Sequence, residues 1–231
     1  MNNLETEISI SDIRKYWIKD SVQLVHCGAH LAEELSEYQS QGFNEIVWVE
    51  AMPEVFESLR EKVSPVDGNI AINACLWSTA GQLIEFNVSS NSYSSSILDF
   101  GTHANTYPEI KWERKIELRT TTLDTLEFPS SNEPIFLVLD LQGAEYQALI
   151  GGLKLLKKTD FIYVEVSKKH LYKNANTWGE ITKLLKAQGF RLVDWQYSEI
   201  LGWGNALYIK RPNKIRSRFV HLLRRCSHEK S

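Results

Sequence analysis

Short β-rich apolar runs alternate with helix-patterned segments along most of this 231-residue chain. Residues 21–27 (SVQLVHC) form such a run and stop at Gly28. Residues 30–41 follow with Leu31, Leu35 and Tyr38 at i, i+4 and i+7, one face of a helix. The run IVWVE at 46–50 comes next, and Pro53 opens a second helix with Val55, Phe56 and Leu59 on one side. Residues 69–76 read as a third strand, continuous enough to be buried on both faces. Residues 134–139 and 161–166 are two further core strands, separated by a helix over 143–157. Residues 177–188 are a helix closed by Gly189, and 190–195 and 205–210 make a final hairpin. Strands joined through helices lie parallel, with the crossovers packed on the sheet. The expected class is therefore α/β: a mostly parallel, Rossmann-like sheet with helices on both faces.

Between the third and fourth core strands the pattern changes. Residues 82–88 and 116–120 look like strands, and the stretch between them is polar, serine-rich and without period. A stretch of that length without secondary structure is usually functional. We expect one domain over residues 1–210, an irregular insertion at about 89–115, and a basic C-terminal tail over 211–231.

Seven Trp, nine Tyr and nine Phe exclude a disordered body. Three scattered cysteines (Cys27, Cys75, Cys226) give neither a disulfide framework nor a zinc spacing. No run of about 18 apolar residues spans a membrane, and MNNLETEISIS lacks the apolar centre of a signal peptide. A reducing, cytoplasmic location is expected. The net charge of -3 combines a tail of +6 with an acidic body, which argues against nucleic acid as a partner. In the tail Ile215, Phe219, Leu222 and Leu223 take helix-like spacing among arginines, a pattern suited to weak contact with an anionic membrane surface or to a plain solvated helix.

Ligands of an open parallel sheet bind beyond the carboxyl ends of its strands. Here those ends read His26-Cys27-Gly28-Ala29-His30, Glu50-Ala51-Met52-Pro53, Trp77-Ser78, Asp140-Leu141-Gln142-Gly143-Ala144-Glu145 and Ser167-Lys168-Lys169-His170. Gly28 lets a ligand approach the backbone. Glu50, ending the second strand, can accept both hydroxyls of a ribose. A dinucleotide site needs two further glycines against the pyrophosphate. Their places hold His30 and Glu33, with Glu34 next, and acids there repel phosphate. S-adenosylmethionine has no phosphate and carries a sulfonium and an ammonium, so an acidic rim suits it. On that reading Gly28, Ala29 and His30 line its methionine end, and Glu50 holds the ribose. Ala51 and Met52 flank the adenosine, and Cys75 and Leu76 border the adenine. Trp77 reads either as a further border or as a core aromatic.

Asp140 can bind the cofactor amine, orient an acceptor hydroxyl or take its proton. Glu165, set among apolar neighbours in FIYVEVS, and His103, in the insertion, are further catalytic candidates. Glu145 serves equally as a first-turn acid that favours the helix dipole. Ser94, Ser95, Ser96, Gln142 and His170 are candidate acceptor contacts. Asp140, Glu165 and His170 leave room for a divalent metal, though nothing in their spacing demands one. A nicotinamide-dependent oxidoreductase and a non-catalytic nucleoside-binding module stay open as alternatives.

Taken together, VHCGAHLAEE, IVWVEAMPEVFESL, SYSSSIL, TTLDTL and FLVLDLQGAEYQALIGG resemble the FkbM family of S-adenosylmethionine-dependent methyltransferases. The resemblance runs over about residues 22–210. It implies the seven-stranded class I methyltransferase fold and O-methyl transfer onto a hydroxyl of a sugar, glycan or small metabolite. Two departures stand out. His26 replaces the family's common Asp two residues before the glycine, and the proline after the second strand is delayed to Pro53.

Overall fold

The structure, a computed structural model, describes residues 6–127, 129 and 133–211. The basic tail beyond Arg211, with Cys226, lies outside the described residues. In chain order the elements are α1 (Ile10–Tyr16), β1 (Gln23–Cys27), α2 (Leu35–Ser40), β2 (Ile46–Glu50), α3 (Pro53–Val63), β3 (Asn69–Asn73), β4 (Cys75–Leu76), β5 (Leu83–Ser89), α4 (His103–Thr106), β6 (Trp112–Thr121), β7 (Ile135–Leu139), α5 (Glu145–Ile150), β8 (Thr159–Ser167), α6 (Trp178–Ala187), β9 (Phe190–Ser198) and β10 (Trp203–Lys210). Seven strands form one sheet in the order β3-β2-β1-β7-β8-β10-β9, in which β10 alone runs antiparallel to its neighbours. The chain works outward from β1 to β3, then restarts beside β1 with β7. The β1–β7 boundary is therefore the switch point of the sheet.

The sequence explains this arrangement. Every residue of β1, β2 and β7 is buried, as two covered faces require. The strand period of two sorts their side chains. Val25, Cys27, Val47, Val49, Leu137 and Leu139 pack toward α5 and α6 through Ala148, Leu149, Ile181 and Leu185. Leu24, Ile46, Trp48, Phe136 and Val138 pack on the other face against Ile13, Leu35 and Leu59 of α1, α2 and α3. Helices thus cover both faces, as expected. A capping box between Thr177 and Glu180 starts α6, and Pro53 occupies the first turn of α3.

Three expectations need correction. Residues 69–76 are not one doubly buried strand: β3 is a half-exposed edge, and after Ala74 the chain leaves the sheet. There β4 joins β6 and β5 in a separate three-stranded sheet, with β4 parallel and β5 antiparallel to β6. The helix expected over 30–41 shrinks to α2, because His30 and Ala32 adopt left-handed φ of 42° and 49°. The helix expected over 143–157 ends at Gly151, after Ile150, and a 3-10 turn at Leu155–Lys157 follows. The N-terminal helix α1 has no counterpart in the sequence reading. It is held by Ser9, whose side chain accepts from the Asp12 N–H. Among the described residues no helix is long and apolar enough to cross a membrane.

A two-compartment candidate active site

The turn after β1 and the turn after β7 cross at the switch point. Gly28 has φ 83°, and a Cβ there would lie 1.7 Å from the Asp140 carbonyl oxygen. The Gly28 and Ala29 N–H groups donate to the Val49 carbonyl, and the Asp140 N–H donates to that of Cys27. Only glycine permits this crossing. Glu50, at the end of β2, is buried, with 6% of its surface exposed. It accepts hydrogen bonds from the N–H of His30 (3.0 Å) and of Met52 (2.8 Å). Burial raises its pKa, and those donated bonds oppose the rise. Glu50 therefore shapes both adjoining loops as well as facing the cleft.

These turns line a compartment, open to solvent, with about 550 Å³ of empty space counted out to its mouth. Gly28, His30, Asp140 and Leu141 form one end of it, and Glu50 the middle. Ala51, Met52, Cys75, Leu76, Phe86 and Ile97 form an apolar slot at the other. Burial pushes the Cys75 thiol up to about 12, so it behaves as an apolar wall. An apolar group of side chains, a buried carboxylate and polar groups about Gly28 and Asp140 correspond in chemistry to the base, the ribose and the amino-acid part of an adenosyl amino acid. The places where a dinucleotide fingerprint needs its second and third glycines hold His30 and Glu33, whose side chains pair at 2.9 Å.

A second compartment, of about 630 Å³, adjoins the first. Tyr107, Tyr172, Trp203 and His103 contribute aromatic walls, and Glu165 and Ser94 add polar groups. Tyr93, Asp140 and Gln142 line both spaces. At this junction the Gln142 side-chain amide donates to Asp140 (2.5 Å) and to Glu165 (3.3 Å), while its oxygen accepts from the Tyr172 hydroxyl (2.6 Å). Asp140 and Glu165 also lie within hydrogen-bond reach of each other. Solvent reaches Asp140 through the cleft, yet protein atoms crowd it, and this desolvation raises its pKa. Glu165 is raised further, by burial and then by the charge of Asp140 and Glu145. The two carboxyls thus hold a proton between them at pH values where an ordinary carboxylate is bare.

Of the residues expected at a site, Gly28, His30, Glu50, Ala51, Met52, Cys75, Leu76, Ser95, Asp140 and Gln142 line the first compartment. Ser94, His103 and Glu165 line the second, with Asp140 and Gln142 again. His103 is buried, stacked on Phe100 at 4.4 Å, and its Nδ1 has no partner. Ala29 is buried beneath the turn and Trp77 is partly buried; neither lines the cleft. Ser96 instead donates to the Gln142 carbonyl at 2.7 Å. His170 is a correction: it is exposed, outside both compartments, with Nδ1 2.6 Å from the Ala175 carbonyl oxygen. Asp140, Glu165 and His170 therefore do not converge. Among the described residues, no three His, Cys, Asp or Glu side chains are grouped to hold a metal ion. Glu145 is also accounted for, since its carboxylate accepts from the N–H of Leu141 (2.8 Å) and Gly143 (3.1 Å) and holds that turn. Burial lifts its pKa to about 7.

Sequence reasoning missed Phe86, Tyr93, Ile97, Tyr107, Tyr172 and Trp203. The one usable signal was in β5, where Ile84, Phe86 and Val88 share a face and pack on the apolar slot.

His26, the departure before Gly28, lies under the turn. It is buried, stacked on Trp48 at 5.5 Å, with Nδ1 3.2 Å from the Tyr38 hydroxyl. Burial lowers its pKa from 6.5 to about 4. The unfolded chain therefore binds a proton that the folded protein refuses between those values. Stability from this group is present above pH 6.5 and is lost as pH falls toward 4, by about 3 kcal/mol. The raised carboxyls Glu50, Asp140, Glu145 and Glu165 act with the opposite sign over this range, so the loss is expected in the difference between wild type and His26→Asn in urea unfolding from pH 7 to pH 4. In His26→Asn this part of the pH dependence should vanish.

The methyltransferase FkbM domain profile matches residues 26–192. The 2-O-methyltransferase NoeI of Sinorhizobium fredii (strain NBRC 101917 / NGR234) is 30% identical over 149 residues, which is 61% of this chain and 60% of that protein. The crystal structure of methyltransferase FkbM from Methylobacillus flagellatus KT superposes with a TM-score of 0.50 at 13% identity, covering 88% of this chain and 48% of that one. Magnesium protoporphyrin IX methyltransferase from Synechocystis PCC 6803, solved with bound SAM, gives 0.50 at 10% identity, covering 88% and 77%. The two structural likenesses bear on the fold, which is that of class I methyltransferases. The chain spans about three fifths of the curated relative that it matches and about half of the first structural one.

Proposed function

This chain belongs to the FkbM methyltransferase family, and on that footing we propose that it is an S-adenosylmethionine-dependent O-methyltransferase acting on a hydroxyl of a glycan or small metabolite. One observation carries the reading: two compartments of different chemistry meet at Asp140, Gln142 and Tyr93. The first has the parts of an adenosyl amino acid site, and the second is an aromatic-walled space suited to a polar ring with apolar faces. A donor and an acceptor bound side by side react as one unit.

S-adenosylmethionine, when bound, supplies a methyl group on a positively charged sulfur. The protein's part follows from its own residues. Glu50 offers its remaining lone pairs to the ribose, and Ala51, Met52, Cys75, Leu76, Phe86 and Ile97 hold the base. Gly28, His30 and Asp140 hold the amino-acid end. At the junction Asp140 accepts the acceptor's hydroxyl proton. Glu165 and Gln142 hold the Asp140 carboxyl in place, and Tyr172 fixes the Gln142 amide so that its N–H groups face the two carboxyls. His103, with its unpartnered Nδ1, is a polar contact for the acceptor, and Ser94 a second. The unit is a single domain over residues 1–210, with the insertion at about 89–115 as the acceptor wall and a basic tail from 211. The lack of glycines at positions 30 and 33 disfavours a nicotinamide site. The reading carries cytoplasmic location with it.

Calorimetric titration with S-adenosylmethionine tests the reading, and NAD serves as the contrast. Binding of the first alone is the expected result, and folded protein that takes up no S-adenosylmethionine at millimolar concentration would reject it. Glu50→Ala should raise the dissociation constant about 10- to 100-fold, as loss of a charged hydrogen-bond partner does. Part of that loss comes through the His30 and Met52 turns, which Glu50 also holds. Unchanged affinity in calorimetry would mean that the ribose lies elsewhere.

A further inference from the structure

The first compartment has a roof, and the roof comes from the insertion. Residues 91–96 form a strap tied into itself. The Ser89 hydroxyl and the Ser94 N–H both donate to the Asn91 side-chain oxygen (2.8 and 3.1 Å), and the Ser89 N–H donates to Ser95 Oγ (3.0 Å). Ser92 stands at the bend with φ 59°. Ser96 pins the far end to the Gln142 carbonyl. At its apex the strap reaches the turn after β1. Ser92 Oγ lies 2.8 Å from His30 Nε2, and the Tyr93 ring packs on the His30 imidazole with centroids 4.0 Å apart and planes tilted by 31°. The Tyr93 hydroxyl donates to Glu33 Oε1 (3.2 Å), the oxygen that also pairs with His30 Nδ1.

These bonds bridge residues 60 or more positions apart, across the mouth of the compartment. The Ser92–His30 bond is part-buried, whereas the Tyr93–Glu33 bond lies at the surface and Tyr93 is 57% exposed. Ser94–Ser96 are buried and anchored by Tyr172, Gln142 and Asn87, but the Tyr93 side chain is held by one ring contact and one exposed hydrogen bond, so it is latched only weakly and can swing aside locally. Tyr93 also lines the second compartment.

We infer that Tyr93 is the gate of the donor compartment and the partition between donor and acceptor. This inference rests on reading the first compartment as the S-adenosylmethionine site. The donor passes beneath Tyr93 to enter and its spent form passes it to leave. With Tyr93 latched, its outer face completes the acceptor wall, so the donor loads first and the acceptor second.

Stopped-flow binding of S-adenosylhomocysteine, followed by tryptophan fluorescence, tests this on wild type, Tyr93→Ala and Tyr93→Phe, with the melting temperature of each measured in parallel. Tyr93→Ala should raise both the association and the dissociation rate about tenfold while the melting temperature stays put. Tyr93→Phe keeps the ring contact, loses the bond to Glu33 and should fall nearer wild type. Unchanged rates in Tyr93→Ala, or a rise confined to dissociation, would overturn the gate, since a mere ligand contact slows nothing on the way in. Failure of wild type to bind S-adenosylhomocysteine would instead strike the donor-site reading itself and take the gate with it.

Discussion

Gly28→Ala is expected to abolish binding of S-adenosylhomocysteine and to lower the unfolding free energy by more than ~3 kcal/mol. Two costs combine. A non-glycine residue at φ 83° is strained, and its Cβ would lie 1.7 Å from a backbone oxygen that cannot swing aside. The Asp140 turn would have to move, and with it the groups that line both compartments. Gly42 supplies the control. It has a similar φ of 77° but nothing within 4 Å of an added Cβ, so Gly42→Ala should cost only about 1 kcal/mol of strain and leave binding intact. Urea unfolding and calorimetry on the pair separate the clash from the strain. Equal behaviour of the two variants would mean that the crossing of the turns is looser than the structure has it.

Asp140→Asn should cut turnover about 10²- to 10⁴-fold, the range for losing a general base. Its affinity for S-adenosylhomocysteine should stay within about tenfold of wild type, because asparagine keeps the size and one acceptor oxygen. The wild-type rate should rise with pH through a pKa above the ordinary carboxylate range, as the Asp140–Glu165 pair gives up its proton. That limb should be absent in Asp140→Asn. Release of S-adenosylhomocysteine, measured with any polyol or glycoside that wild type methylates, provides the readout. A variant with full turnover would leave proximity alone as the source of rate.

The frame of this molecule was legible because parallel strands covered on both faces leave unbroken apolar runs, such as LVHC, IVWVE and IFLVL. The strand ends then pointed to Gly28, Glu50 and Asp140. The departure of the chain after Ala74 was not legible, since NIAINACL is equally apolar on either side of the break. Tertiary bonding set the length of α2: Glu50 claims the His30 N–H and holds the turn in left-handed backbone. Glu145 looked like a helix-dipole acid, and only the fold shows its carboxylate holding the Leu141–Gly143 turn. The aromatic walls escaped notice because they come from β5, the insertion, the segment after β8, and β10. Their meeting is a property of topology, and no spacing along the chain records it.

The small sheet described above has a consequence for change over generations. Cys75 and Leu76 pair in parallel with Thr120 and Thr121, so the two ends of residues 77–119 lie side by side, while Ser96, Gly101 and His103 bond back to the main body at Gln142 and the segment after β8. This stretch carries Tyr93, Ser94, His103 and Tyr107 but none of Gly28, Glu50 or Asp140. It also carries Phe86 and Ile97 of the first compartment, so a lineage that lengthens, shortens or trades it reshapes the acceptor walls and the base slot together, while the Gly28–Asp140 crossing and Glu50 stay in place. A relative's stretch grafted onto this body would accordingly bring its own base slot along with its own acceptor walls.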